Sequence, residues 1–159
     1  MFKIVNKIEK LSNGTLYDGK YEVDDDSILM SSSFDGGTQI FFGELVRHIF
    51  MDVNTETNQC YGMVIILDAI KFKRHQYDLQ ECETIELISD CDKNELNIYR
   101  DLSLDYYVDL KNNLILIGNP YLKIKPICFF DDTYAVIQNG KLKLLIIKVN
   151  KDIIRKLKL

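Results

Sequence analysis

Thr133-Tyr-Ala-Val-Ile-Gln-Asn-Gly-Lys-Leu-Lys-Leu-Leu-Ile-Ile-Lys-Val149 is the stretch whose reading decides the fold. Asn139-Gly140 stands between two runs rich in β-branched and aliphatic residues. A two-residue Asn-Gly link is the strongest short-range hairpin signal, because both positions of a type I′ turn need positive φ. Working back along the chain, Lys111-Asn112-Asn113, Asn119-Pro120 and Asp131-Asp132 are further turn signals. They separate strand candidates at Asp105 to Leu110, Leu114 to Gly118 and Tyr121 to Phe130. Connections this short join antiparallel neighbours, since parallel strands need crossovers of about a dozen residues or more.

Upstream the pattern is more mixed. Residues 2 to 9 partly alternate, and Asn13-Gly14 offers a turn through which Thr15 to Val23 pairs back as a hairpin. The loop from Asp24 to Gly37 has room for a short strand at Ser27 to Met30. From about Thr38 to Val53, the residues Phe42, Leu45, Val46, Ile49, Phe50 and Val53 recur at offsets 0, 3, 4, 7, 8 and 11, one face of a helix. Asp35 or Thr38 supplies its N-cap. Cys60 to Phe72 reads as a long central strand, its run Met63 to Leu67 too continuously apolar to have a wet face. Thr84 to Ser89 and Glu95 to Tyr99 are shorter strands. The expected fold is α+β, a mainly antiparallel β-sheet with one principal amphipathic helix, about 38–53, packed on it.

At 159 residues, 47% hydrophobic and 28% charged, the chain has the size and composition of a single domain spanning 1–159. Its longest apolar runs are far shorter than the ~20 residues of a membrane helix. The first ten residues lack the apolar core of a secretory signal, so the expected location is cytoplasmic.

Chemical motifs are thin. Cys60, Cys82, Cys91 and Cys128 contain no Cys-x-x-Cys pair, and His48 and His75 stand apart from them in sequence, so zinc spacing is absent. Pairing Cys60 or Cys82 with His48 or His75 as nucleophile and base has no local support. Ser31 to Thr38 has two glycines and free N–H groups before the expected helix, but no Gly-Lys-Ser/Thr ending; a small enzyme with a site near 31–38 is the alternative reading. The dense carboxylates lack the ordered spacing of a calcium loop. No catalytic residue, metal site or cofactor is expected.

Charge is more informative. Residues 139 to 159 hold seven Lys and Arg against Asp152, and Lys141, Lys143 and Lys148 read as guards of an apolar edge strand. The rest of the chain is acidic. One stretch carries Asp18, Glu22, Asp24, Asp25, Asp26 and Asp35 against Lys20; a second, from Asp78 to Glu95, has seven acids, including Glu81, Glu83 and Glu86, against Lys93. Such fields repel phosphate backbones and favour a basic protein partner over nucleic acid. The partner-binding candidates are therefore Asp18, Glu22, Asp24, Asp25, Asp26, Asp35, Glu81, Glu83 and Glu86. A scaffold subunit using a sheet edge is a further alternative.

In these features, an acidic cytosolic α+β domain rich in Ile, Lys, Asn and Asp with acidic stretches at Asp18 to Asp35 and Asp78 to Glu95, the chain resembles the immunity proteins of bacterial polymorphic toxin and contact-dependent growth inhibition systems. The resemblance lies in general character and carries no residue-level assignment. It implies a protein that binds a cognate toxin domain, often a basic nuclease, and blocks its active site or substrate path.

Overall fold

The computed structural model describes residues 2–7, 21–24, 27–30, 37–42, 49–54, 56–66, 70–90, 97–130 and 132–157. They form a sheet-dominated fold with one short helix. One six-stranded sheet is drawn mainly from the first half of the chain: β2 (Tyr21–Asp24), β3 (Ser27–Met30), β6 (Cys60–Ile66), β5 (Ile49–Asn54), β4 (Gly37–Phe42) and β9 (Asn97–Tyr99), in that spatial order. The other runs β12 (Ile127–Phe130), β13 (Thr133–Gln138), β14 (Lys141–Lys148), β11 (Leu114–Gly118), β10 (Tyr106–Asp109) and β7 (Lys73–Arg74). A separate pair joins β1 (Phe2–Lys7) to β8 (Ile85–Ser89). Pairing is antiparallel except for β4 with β9 and β10 with β7, each at a sheet edge.

The hairpin that anchored the sequence reading forms as expected. Asn139 and Gly140 have φ of 53° and 73°, and β13 pairs with β14 from Gln138↔Lys141 onward. β3, β11 and β13 match their expected bounds, and β6 lies between β3 and β5, inside its sheet.

The principal helix over 38–53 is corrected. Residues 37–42 and 49–54 are the antiparallel strands β4 and β5, with Phe42↔Ile49 and Thr38↔Val53 in register. Ile49, Met51 and Val53 are fully buried at every second position, a strand period. Ile49 and Val53, four apart, fit both periods, and the β-branched residues Ile40, Ile49 and Val53 favour the pleated solution once β6 and β9 supply partners on both flanks. The intervening residues 43–48, including Leu45, Val46 and His48, lie outside the described residues. The expected hairpin between 2–9 and 15–23 is also replaced: β1 pairs with β8, as in Ile4↔Leu87, and β2 pairs with β3.

A continuous apolar cluster joins the sheets. Ile40, Met51 and Ile65 of one six-stranded sheet meet Ile115, Leu145 and Ile147 of the other, with Leu87 from the two-stranded pair. Burying a side chain of this kind contributes roughly 1.5–3 kcal/mol. The second sheet is also covered on its opposite face, where Leu114, Leu116, Val136, Leu144 and Ile146 form another cluster. Successive residues of β11 therefore serve alternate cores, and all five are buried.

β14 is an interior strand, so Lys141, Lys143 and Lys148 do not guard an edge. Lys141 and Lys148 are exposed at its two ends. Lys143 is the extra residue of a bulge, because Val136 pairs with Leu144 while Ile137 pairs with Leu142. The chain then turns into α1 (Lys151–Lys156), where the Asn150 side chain accepts the Ile153 N–H at 2.9 Å and Ile153 and Ile154 are buried. No helix among the described residues is long and apolar enough to cross a membrane.

Candidate functional site

Two segments cross the outer face of the second sheet. One leaves the edge strand β7 at Arg74 and reaches the opposite edge at Thr84, which bridges Cys128 of β12 in parallel, with the Cys128 N–H on the Glu83 carbonyl at 2.9 Å. The other runs from the end of β11 at Gly118 to β12. Leu79 from the first segment and Leu122 and Ile124 from the second pack on the outer apolar cluster, together with buried Tyr77. Between the segments lies a cleft of about 450 Å³, lined on one side by His75, Gln76, Tyr77, Asp78 and Gln80 and on the other by residues 120–126.

A buried carboxylate fixes the first wall. Asp109, 2% exposed, accepts the Tyr77 N–H at 2.8 Å, the Lys111 and Asn112 N–H groups at 2.9 and 3.0 Å, and the Asn112 side-chain amide at 2.8 Å. Asn112 also donates to the Tyr77 carbonyl at 3.3 Å. Burial pushes the Asp109 pKa up, and the hydrogen bonds from Tyr77, Asn112 and Lys111 outweigh it, so the carboxyl titrates below its ordinary range. A charge this buried is tolerated because it is so fully hydrogen-bonded.

Aromatic rings close one end of the cleft. His75 meets Tyr107 at 5.7 Å and Tyr121 at 4.9 Å, both edge to face, and Tyr107 meets Tyr121 at 6.3 Å. The Lys73 ammonium lies 5.5 Å from the Tyr107 ring centroid. Tyr121 remains 68% exposed. Beside the first segment the Cys82 thiol donates to the Gln80 carbonyl at 3.0 Å; burial pushes its pKa up, and the Lys125 ammonium pulls against that shift. Tyr77 is raised by burial and by its neighbours Cys82 and Asp78.

The sequence-derived candidates fall into three groups. Glu81 and Glu83 are exposed on the first crossing segment, next to exposed Asp78. Glu22 and Asp24 lie in the edge strand β2 and Glu86 in β8, placed by backbone position. Asp18, Asp25, Asp26 and Asp35 lie outside the described residues, as do Cys91 and residues 31–36 of the alternative enzyme site. Among the described residues no group of three His, Cys, Asp or Glu is arranged to hold a metal ion. Cys60 is buried in the core, while Cys82 and Cys128 are half-buried.

Sequence reasoning overlooked the second wall. Its signal was legible: Tyr121-Leu-Lys-Ile-Lys125 alternates, and it is bracketed by Pro120 and Pro126, the only two prolines of the chain. Taken with the sheet-dominated fold, the site defines a chain that presents two surface segments on a doubly covered sheet. No family model matches the chain, and no curated protein matches it either.

Proposed function

We propose that this chain is a non-catalytic binding protein that neutralises a cognate bacterial toxin domain, a partner with a basic surface, by forming a tight and electrostatically steered complex in the cytoplasm. The observation that carries the reading is the first crossing segment. It is tied down at Tyr77 by Asp109 and at Glu83 by the Cys128 N–H, yet it turns Asp78, Glu81 and Glu83 to solvent. A held backbone bearing exposed carboxylates presents a preorganised negative surface, which loses less entropy on binding than a free loop does. Complementary potential then speeds encounter and rejects acidic competitors. The resemblance to immunity proteins supports the same reading, and the sequence carries a second acidic stretch at Asp18 to Asp35.

The test is coexpression with the C-terminal domain encoded in the adjacent upstream reading frame. Rescue of growth and a stable complex weakened by rising salt and by the triple change D78N/E81Q/E83Q are expected. Unrescued growth with no complex overturns the reading. A complex indifferent to both salt and the triple change overturns the acidic surface.

A further inference from the structure

The second crossing segment has the sequence of a strand and, among the described residues, no strand beside it. Residues 121–125 alternate between exposed Tyr121, Lys123 and Lys125 and the half-buried Leu122 and Ile124, which pack on the outer cluster. That is the period-two pattern of a half-covered β-strand. Yet among the described residues no hydrogen bond reaches the backbone of Leu122, Lys123, Ile124 or Lys125; ladder pairing resumes only at Ile127, opposite Ala135. Pro120 and Pro126, which have no N–H, set the ends of the unpaired run. Across the 450 Å³ cleft, the Gln76, Asp78 and Gln80 N–H groups likewise have no partner among the described residues.

We infer that residues 121–125 are a docking strand, which pairs through its backbone with an extended segment of a partner protein bearing acidic side chains at alternate positions. Backbone groups left open on an extended run are the template used in strand addition, in which main-chain bonds give affinity and alternate side chains give specificity. The charge of the run selects the occupant. Lys123 and Lys125 project from the same side, and the cleft they line has Asp78 as its one carboxylate. Lys73 and Arg74 are exposed just beyond the His75 and Tyr121 rings. An incoming segment with Asp or Glu at every second position places its carboxylates beside Lys123 and Lys125, and its intervening side chains face the apolar floor of Leu122 and Ile124. The exposed Tyr121 ring caps one end. Asp78 is common to this cleft and to the toxin-binding proposal, whereas Lys123 and Lys125 belong to this surface alone, so the K123E/K125E and D78N/E81Q/E83Q variants test the two readings separately.

A random peptide library displayed on phage and panned against the intact protein reads out the specificity. Acidic residues alternating with β-branched or aromatic ones are expected to be enriched, and a selected peptide should slow amide exchange within Leu122–Lys125 by about tenfold or more. The K123E/K125E variant, with unchanged protection of β11 and β14, should lose that peptide and select basic ones. Enrichment without acidic alternation, binding that leaves the Leu122–Lys125 amides exchanging as in the free protein, or preferential binding of an oligothymidylate strand at this site would each overturn the inference.

Discussion

The Tyr99 hydroxyl accepts the Leu142 N–H at 2.6 Å and sits 3.4 Å from the Leu142 carbonyl, tying β9 of one six-stranded sheet to β14 of the other through the core. Tyr99 is 2% exposed, so water offers no substitute. Y99F should cost roughly 1–3 kcal/mol, because a buried N–H loses its acceptor. Urea unfolding measures it; a midpoint equal to wild type would show that the tie adds nothing.

Tyr106 is the counterexample. Its hydroxyl is buried with no hydrogen-bond partner among the described residues, and burial pushes its pKa up to about 12 from 10.0. Y106F should therefore be neutral or stabilising by about 1 kcal/mol. A raised folded pKa means the native state holds its proton more tightly than the unfolded chain. The associated stability is complete below pH 10 and is lost as pH rises towards about 12, so the alkaline limb of a stability profile should be shallower in Y106F. An unchanged limb would contradict this.

Asp109 should behave in the opposite sense. Its folded pKa is lowered, so its contribution is present above the ordinary value of 3.8 and is lost as pH falls through the lower folded value. D109N should cost about 2 kcal/mol or more at neutral pH and flatten the acid limb of the stability profile. Amide exchange at Tyr77 should accelerate more than at β14, because the carboxylate is that N–H's acceptor.

Gly118 has φ of +117°, and a Cβ there would stand 2.3 Å from the Lys143 carbonyl oxygen and 2.9 Å from Leu102 Cδ1. G118A should destabilise by about 3 kcal/mol or more through strain and backbone clash combined. Thermal unfolding gives the measurement, and a shift of under a degree would refute the packing at this point.

Local chemistry made the C-terminal third legible. Asn139-Gly140 specifies its turn without help, and β11, β13 and β14 are runs whose strand propensity agrees with their surroundings. The region 38–53 misled because Ile49 and Val53, four apart, satisfy helical and strand spacing at once, and the choice is made by pairing with β6 and with β9, the latter distant in sequence. The acidic half of the site was visible in composition, as Glu81 and Glu83. The clamp was not: Asp109 and Tyr77 are separated by 32 positions, and no periodicity announces a carboxylate that will meet a distant N–H. The Lys123 and Lys125 wall sat inside the expected strand Tyr121 to Phe130, of which only Ile127–Phe130 forms a strand.

Because the second sheet is apolar on both faces, hydrophobic patterning cannot police its alignment. Sliding β14 by one residue would exchange one greasy face for another, whereas in a half-wetted sheet the same slip would drive leucines into water. Alignment must be enforced by shape instead: the Asn139-Gly140 turn at one end, and the Lys143 bulge nested against a glycine that admits no side chain. Misalignment, and not exposure, is the error this half of the molecule is built to prevent, and substitutions at these few positions should produce compact, misregistered chains before they produce unfolded ones.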